Sequence, residues 1–238
     1  MTIALILSGG TGSRLGSDIP KQYIEVNGKP IISYCLETLL SHPEIDAVQI
    51  VADLAWQQVI FKELERVSSA SGNQQKFRGF SVPGKTRQLS ILNGLEDILS
   101  YASKEDTVII HDAARPCLPE QMISCGLDAI KGHDGVLPVL PMKDTVYLSE
   151  DGKAVSSLLN RSRVFAGQAP EFFVLGKYYE ANKSLLPERI LAINGSTEPA
   201  ILAGLDVVMI PGEEGNFKIT TKADLERFQQ IVCERKGL

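Results

Sequence analysis

The chain has few cysteines, no long apolar run and no excess of positive charge. Its cysteines are scattered, without C-x-x-C or other metal-ligand spacing, so the sequence predicts neither a disulfide framework nor a zinc site. They are Cys35, Cys117, Cys125 and Cys233. The longest apolar runs, such as residues 3–7 and 136–140, are far shorter than the roughly 20 residues of a membrane span. No basic segment precedes an apolar one at the start, so we expect a cytoplasmic protein with no membrane contact.

The charge balance narrows the possible partners. The 238 residues carry 24 Lys and Arg against 29 Asp and Glu, a net charge of −5, and contain no long basic run. This argues against general nucleic-acid binding but allows a local cationic pocket built from a few placed residues. A hydrophobic content of 44% is enough for one well-cored domain, which we expect over residues 1–238.

Short β-rich runs alternate with longer amphipathic stretches along the chain. The predicted strands are 3–7, 47–52, 77–82, 107–111, 136–140 and 207–210. The predicted helices are 31–40, 56–68, 88–99, 119–130, 174–185 and 222–233. This alternation predicts an α/β fold, a Rossmann-like, mostly parallel sheet with helices on both faces. Ligands of such sheets bind beyond the carboxyl ends of the strands.

One stretch, residues 142–168, interrupts the alternation. Asp151-Gly152 separates two strand-like runs, 143–148 and 154–159, which is a hairpin signal. A hairpin inserted late in an α/β domain has few neighbours of its own. We therefore predict a protruding β-hairpin arm that mediates a homodimer. The alternative is a hairpin that lies flat on its own domain.

A glycine-bearing loop directly follows the first predicted strand. Its sequence is Ser8-Gly9-Gly10-Thr11-Gly12, with Arg14 and Lys21 shortly after it. Glycines allow backbone N–H groups to close on phosphate oxygens, and two fixed cations can offset the charge of a polyphosphate. The combination predicts a nucleoside triphosphate site. The alternative is an ordinary strand-to-helix turn whose glycines only satisfy a positive φ.

A carboxylate ends the buried strand at 107–111. Asp112 follows that strand and Arg115 comes three residues later. A carboxylate at a strand end is suited to hold Mg²⁺ against phosphates, because this hard cation prefers oxygen ligands. The alternative role for Asp112 is to cap a following helix. Both candidate loops are expected at the same edge of the sheet.

Two other nucleotide motifs compete with this interpretation. Residues 79–86 match the GxxxxGK[ST] pattern of P-loop ATPases and kinases. However, the segment before them is polar, residues 77–82 alternate like a strand, and Pro83 lacks the N–H that a phosphate nest needs. A dinucleotide-binding fingerprint fits less well, because Leu15 stands where a third glycine is needed.

Taken together, five separated motifs resemble a known family. They are LSGGTGSRLG followed by PKQY (7–23), GKTRQLS (84–90), HDAARP (111–116), KDT (143–145) and NFKIT (216–220). In this order they resemble the cytidylyltransferases that make CDP-linked polyols, namely 2-C-methyl-D-erythritol 4-phosphate cytidylyltransferase and ribitol-5-phosphate cytidylyltransferase. The resemblance covers nearly the whole chain.

The resemblance implies a reaction and a set of roles. A polyol phosphate would attack CTP with release of pyrophosphate, and Mg²⁺ would be held by Asp112. Arg14, Lys21 and Lys218 would be catalytic. Arg115, Thr145 and Arg161 would contact the polyol phosphate, the last two from the partner's arm. The nucleotide would be bound by Ser8, Gly9, Gly10, Thr11, Gly12, Gly84, Arg87, Ser90 and Ala113.

Two positions depart from the family pattern. Ala169 stands where a threonine is usual, and residues 194–200 match the family only loosely, with Pro199 at what would be a helix start. Losing one hydrogen bond to a charged group changes affinity by about 1.5–3 kcal/mol, which can alter substrate choice. The sequence therefore leaves the polyol open between the two family activities. It also leaves open a nucleotide-binding subunit without turnover.

Overall fold

A computed structural model describes residues 1–10, 19–71 and 74–235. The strands are β1 Thr2–Leu7, β2 Glu25–Val26, β3 Lys29–Pro30, β4 Ala47–Val51, β5 Phe77–Ser81, β6 Thr107–Asp112, β7 Gly135–Pro141, β8 Tyr147–Leu148, β9 Ser157–Leu158, β10 Phe165–Gly167, β11 Glu171–Val174 and β12 Val207–Pro211. The main sheet has the strand order β10-β7-β11-β6-β1-β4-β5, and β12 also pairs with β7. The helices are α1 Ile32–Ser41, α2 Leu54–Ser71, α3 Arg87–Ile98, α4 Glu120–Ala129, α5 Leu175–Lys183, α6 Glu198–Leu202 and α7 Lys222–Arg235.

The predicted α/β architecture is confirmed. Strands β1, β4 and β6 are buried along almost their whole length, as expected when helices cover both faces of a parallel sheet. Their parallel register sets Leu7 beside Val51 on one side and beside Asp112 on the other. Three strand ends therefore meet at one edge of the sheet, where the predicted loops begin.

The two faces of the sheet form separate apolar cores. On β1, Ala4 and Ile6 belong to a core shared with helices α1, α2 and α4. The alternate residues Ile3 and Leu5 belong to the opposite core, with α3 and α5. Because successive side chains of a strand point to opposite faces, one short apolar run supplies both cores.

Strand β11 was not predicted. Its four residues run antiparallel between β6 and β7, and α5 begins at the next residue. Its three apolar residues follow Glu171 and lead into the helix without Gly, Pro or another turn residue that would separate the two patterns. Strand β10 is also antiparallel to β7. The sheet is thus mixed, with a parallel majority.

The arm at residues 142–168 contains the predicted hairpin in a shorter form. Strands β8 and β9 have two residues each and pair antiparallel, and Gly152 takes a φ of +71° in the turn between them. Residues 142–167 include no buried side chain. Exposed apolar side chains are concentrated here: Tyr147, Leu148, Val155, Leu158 and Phe165. The arm therefore has almost no core of its own.

Within the described ranges, none of the helices combines the length and apolar character needed to cross a bilayer.

Candidate active site

A cavity of about 440 Å³ opens at the carboxyl ends of the parallel strands. Five chain segments line it. They are the loop after β1, the turn at Lys21 and Gln22, the connection from β5 into α3, and the two segments around Asp112 and Lys218. The lining residues are Leu7, Gly9, Gly10, Lys21, Gln22, Gly84, Lys85, Thr86, Arg87, Ser90, Asp112, Ala114, Lys218 and Thr220. The residues predicted at this edge of the sheet thus share one concave space.

The loop after β1 is fixed from several directions. Ser8 N donates to Val51 O at 2.9 Å, which continues the ladder between β1 and β4 by one residue. A Cβ on Gly9 would lie 2.7 Å from Cβ of Pro83, so only glycine fits there without movement. Gly10 has open space where its side chain would be. Pro83 therefore has a specific role, as the wall against which the early loop rests.

A short 3₁₀ turn, Lys21–Tyr23, directs its side chains to two places, the segment of Lys218 and the loop after β1. Lys21 Nζ donates to Ile219 O at 2.6 Å, which ties the front of the cavity to the segment that carries Lys218. Gln22 Nε2 donates to Ser8 O at 2.8 Å and to Gly10 O at 2.7 Å. Tyr23 Oη accepts from Ser8 Oγ at 2.8 Å. A turn with three residues per revolution spreads its side chains in this way.

Asp112 is the electrostatic centre of the cavity. Its Oδ1 accepts from Arg87 Nη2 at 3.0 Å, and its Oδ2 accepts from Lys218 Nζ at 2.9 Å. Arg115 Nε lies 3.8 Å from Oδ2. One carboxylate thus holds three cationic side chains together. Buried ion pairs of this kind cost desolvation energy that only good geometry offsets, so their presence at a cavity points to function.

The charge state of Asp112 follows from these neighbours. Burial alone would raise the pKa of Asp112, but the Arg87 and Lys218 charges outweigh it and hold the pKa far below its usual range. For His111, immediately before it, burial outweighs the favourable charge of Asp112 and lowers the pKa to about 4. The site therefore combines an ionised aspartate with a neutral histidine near pH 7.

Arg87 connects Asp112 to residues on the other side of the sheet edge. Its Nη1 donates to Ser196 Oγ at 2.7 Å, and Tyr178 Oη donates to Ser196 O at 2.7 Å. Burial raises the pKa of Glu171 above its usual value, and the nearby Arg87 charge partly offsets this. The guanidinium is thereby oriented from both ends, by Asp112 and by Ser196.

The segment that carries Lys218 is held at both of its ends. Arg115 Nη1 donates to Asn216 O at 2.6 Å. Ile219 N donates to Ala114 O at 2.9 Å, and Asn216 Nδ2 donates to Ala169 O at 2.8 Å. Lys218 therefore projects from a backbone with little freedom, which suits a residue that must meet a defined charge.

The predicted site residues fall into four groups. Gly9, Gly10, Lys21, Gly84, Arg87, Ser90, Asp112 and Lys218 line the cavity. Ser8, Ala113 and Arg115 are buried or nearly buried behind the lining. Thr145 and Arg161 are exposed on the arm, where Arg161 Nη1 donates to Lys143 O at 2.6 Å. Thr11, Gly12 and Arg14 lie outside the described residues.

The geometry of residues 79–86 does not fit a P-loop. Strand β5 takes up residues 77–81, where the phosphate loop would have to be. The N–H of Gly84 is already donated to Ser90 Oγ at 3.0 Å. Thr86 Oγ1 accepts from Leu89 N at 3.2 Å and so caps α3. The GKT sequence is thus a helix start, and it forms one wall of the cavity.

The chain's own donors for a metal ion are limited. Among the residues that the structure describes, no group of three or more His, Cys, Asp or Glu side chains is placed to hold a metal. Among the described residues that line the cavity, Asp112 alone offers an ionised carboxylate. Mg²⁺ commonly binds through one or two carboxylates together with substrate phosphates, so this donor set fits the ion only as a ligand shared with a polyphosphate.

Sequence reasoning gave no role to three residues of this site. Gln22, Glu171 and Ser196 are all buried beside the cavity and interact with its walls. Gln22 follows Lys21, whose positive charge indicates a phosphate ligand, whereas the amide of Gln22 is neutral and gives no such indication. Glu171 lies on the strand that was not predicted. The position of Ser196 beside Arg87 depends on a contact across 109 residues.

Comparison with known proteins is consistent with this geometry. The family model for IspD, 2-C-methyl-D-erythritol 4-phosphate cytidylyltransferase, matches residues 2–234. The chain is 34% identical over 231 residues to the protein of that name from Clostridium tetani, covering 96% of this chain and 89% of the relative. It is 31% identical over 242 residues to ribitol-5-phosphate cytidylyltransferase from Streptococcus agalactiae serotype V, covering 100% and 97%.

Longer relatives and solved structures extend the comparison. A bifunctional IspD/IspF enzyme from Granulibacter bethesdensis is 34% identical over 232 residues, and the chain spans 56% of its length. The crystal structure of a 4-diphosphocytidyl-2C-methyl-D-erythritol synthase from Anaerococcus prevotii has a TM-score of 0.81 and 25% identity, covering 97% of this chain and 95% of that one.

Proposed function

The chain belongs to the 2-C-methyl-D-erythritol 4-phosphate cytidylyltransferase family, and we propose that it transfers the cytidylyl group of CTP to a polyol phosphate. The observation that carries this proposal is the cluster of Arg87, Arg115 and Lys218 around Asp112, which shares its cavity with the glycine loop. That arrangement supplies cations and backbone donors for a triphosphate within one space.

The reaction needs little covalent help from the protein. A phosphate oxygen of the acceptor attacks the α-phosphorus of CTP and forms a new P–O bond. The bond from the α-phosphorus to the bridging oxygen of the β-phosphate breaks, and pyrophosphate leaves with that electron pair. A phosphate monoester has a second pKa of about 6 and is largely ionised at neutral pH, so no general base is required. Positioning and charge stabilisation are then the main tasks.

The chain's cations have distinct tasks in this scheme. Lys218 meets charge that develops at the α-phosphate, and Lys21 faces the leaving pyrophosphate. Arg14, which lies outside the described residues, would join them in this task. Both lysines reach the cavity from backbone segments that are tied to each other through the contact between Lys21 and Ile219 O. Asp112 keeps Lys218 in place until the nucleotide arrives.

Mg²⁺ is part of the proposal as a cofactor that Asp112 would hold together with phosphate oxygens of CTP. When bound, the ion neutralises phosphate charge and polarises the phosphorus–oxygen bonds. Asp112 is suited to this because the Arg87 and Lys218 charges hold its pKa far below its usual range, so that it is ionised near neutral pH.

The acceptor is one of two polyol phosphates, 2-C-methyl-D-erythritol 4-phosphate or D-ribitol 5-phosphate. Relatives named for each activity match this chain at 34% and 31% identity, over almost its whole length. Ala169 is buried and its carbonyl accepts from Asn216, so the missing threonine hydroxyl lies next to the segment of Lys218. Any difference in acceptor choice is therefore expected in this region rather than in the nucleotide loop.

A homodimer in the cytoplasm completes the proposal. The arm exposes apolar side chains that its own chain does not cover. A second copy would cover them and would bring its Thr145 and Arg161 to the acceptor phosphate. The free guanidinium edge of Arg161, which uses only Nη1 on Lys143 O, fits such a role.

Pyrophosphate release from CTP tests the proposal. We expect release only with Mg²⁺ and one of the two polyol phosphates present, and formation of the matching CDP-polyol by mass spectrometry. Hydrolysis of ATP without CTP would contradict the proposal and would favour the alternative of a P-loop-type ATPase at residues 79–86. Binding of CTP without turnover on either acceptor would indicate a nucleotide-binding subunit instead.

A further inference from the structure

We propose that Gln22 is a positioning residue that prepares the loop Ser8–Gly10 to receive the triphosphate of the nucleotide. This inference rests on the proposed function, because it assigns the loop to phosphate binding. Gln22 lies beside Lys21, but its side chain is 3% exposed and carries no charge. Its role follows from what its amide binds.

Both hydrogens of the Gln22 amide are used on the loop. Nε2 donates to Ser8 O at 2.8 Å and to Gly10 O at 2.7 Å. Tyr23 Oη makes a second donation to Ser8 O, at 3.0 Å. Since both partners are carbonyl oxygens, the side-chain nitrogen must be the group that faces them. One amide thus bridges two carbonyls of a three-residue stretch.

The orientation of these carbonyls decides whether the loop can accept an anion. In a trans peptide the C=O and the following N–H point in opposite directions. With Ser8 O turned toward Gln22, the N–H of Gly9 is directed away from Gln22. A phosphate is attracted by N–H groups and repelled by carbonyl lone pairs. Because Gln22 holds the two carbonyls, the loop is kept from a conformation in which these oxygens would face the phosphate.

Glycine makes this support necessary. Gly9 and Gly10 have more backbone freedom than other residues, and ordering them on ligand binding costs conformational entropy. Contact with Pro83 restrains Gly9, whereas among the described residues, chain neighbours apart, no atom lies within 4 Å of the side-chain position of Gly10. The hydrogen bond from Gln22 Nε2 to Gly10 O therefore restrains the backbone of Gly10. Preorganisation of this kind strengthens binding without a direct contact.

The variant Gln22→Met tests the role, because methionine has a similar shape and no donor. Removing this donor from the carbonyls of Ser8 and Gly10 is expected to raise the KM for CTP about tenfold, while kcat and the KM for the acceptor stay within about threefold. Inorganic tripolyphosphate, measured by calorimetry, should lose affinity by a similar factor. CMP, which lacks the β- and γ-phosphates, should bind as tightly as to the unmodified protein.

Gln49→Met is the matched control. Gln49 is also 3% exposed and its Nε2 donates to Ser81 Oγ at 2.9 Å, but it lies within β4, away from the loop. We expect its KM for CTP to be unchanged. Tyr23→Phe is a second variant that removes one donor from Ser8 O and keeps the ring that stacks on Trp56 at 4.4 Å. It should raise the KM for CTP by less than Gln22→Met does.

The measurements separate this inference from the proposed function. An unchanged KM for CTP in a folded Gln22→Met protein would overturn the role of Gln22, as would equal losses of affinity for CTP and CMP. Absence of cytidylyl transfer by the unmodified protein would overturn the proposed function alone. In that case the tripolyphosphate measurement still decides whether Gln22 prepares the loop.

Discussion

The cavity around Asp112 and the arm at residues 142–168 differ in how their side chains are partnered. In the cavity, one buried carboxylate is bound by Arg87 and Lys218, and each of those cations reaches it from a different part of the chain. In the arm, two strands of two residues pair with each other and no side chain from 142 to 167 is buried. The ion pairs of the first region form within one chain, whereas the second region exposes apolar side chains.

This difference predicts that substitutions in the two regions have different effects. The cavity is specified by charge and hydrogen bonding, so single substitutions in it should alter chemistry more than association. The arm is specified by apolar surface, so substitutions there should alter association first. The following predictions test that division, beginning with the largest effect.

Lys218→Ala should lower kcat at least ~100-fold, because it removes one preorganised donor from the charge that develops in the transition state. Steady-state kinetics with CTP and the preferred acceptor measures this. Lys222→Ala is the control, since Lys222 is exposed at the start of α7. Equal rates for the two variants would remove Lys218 from the mechanism. A sedimentation coefficient equal to that of the unmodified protein is expected for both.

Leu158→Asp should shift the protein from dimer to monomer, because it places a charge in the exposed apolar surface of the arm. Leu158 is 64% exposed in the single chain. Analytical ultracentrifugation measures the change, and activity should fall with it as the partner's arm leaves the site. Leu54→Asp is the control, because Leu54 is 82% exposed but lies on α2, outside the arm. A monomeric variant with full activity would contradict a contribution from the partner.

Gly9→Ala should lower the melting temperature, whereas Gly10→Ala should not. A Cβ at Gly9 meets Pro83 at 2.7 Å, while a Cβ at Gly10 has no atom of the described residues, chain neighbours apart, within 4 Å. Overpacking of this kind costs about 1–3 kcal/mol, and each kcal/mol shifts the melting temperature of a chain of this size by about 2–4 °C. Calorimetry distinguishes the pair. Equal melting temperatures would show that Pro83 gives way.

Asp224 should contribute the smallest effect, a change in stability confined to acid pH. It accepts hydrogen bonds from Thr220 N at 2.9 Å and Thr221 N at 2.7 Å, and these bonds lower its pKa to about 2 despite partial burial. A depressed pKa stabilises the folded state above the ordinary value of 3.8, and the stabilisation is lost as the pH falls toward 2.

Urea unfolding of the unmodified protein and of Asp224→Asn tests this acid dependence. The difference in unfolding free energy between them should be constant at neutral pH and should shrink below a pH of about 4. A difference that stays the same down to pH 2 would contradict the predicted titration.

Much of the fold could be predicted from the sequence because its strong patterns are local. Strand β1 begins one residue before its predicted start and α1 one residue after, since apolar periodicity and breakers fix such elements within a few residues. Strand β11 was missed because its three apolar residues lead directly into α5. The hairpin was recognised from Asp151-Gly152, but its strands are shorter than predicted and, within the described part of the chain, pair only with each other.

The site was predictable to the extent that its residues carry charge or lack side chains. Asp112 and Lys218 were identified from motifs, and they do share the cavity. The Asp112–Lys218 pair itself could not be derived, because a contact across 106 residues depends on how the whole sheet is assembled. Gln22 was overlooked for a different reason, since a neutral side chain that binds backbone carbonyls leaves no periodic or compositional trace.

The hydrogen bond from Lys21 to Ile219 O joins positions 198 residues apart. Together with the contacts of Arg87 and Lys218 to Asp112, it means that the cavity can form only after segments near both ends of the chain have docked on the sheet. Contacts so distant in sequence close late during folding. A nucleotide should therefore bind the finished domain and not a partly folded one, and so its presence should protect the newly made protein against unfolding and proteolysis.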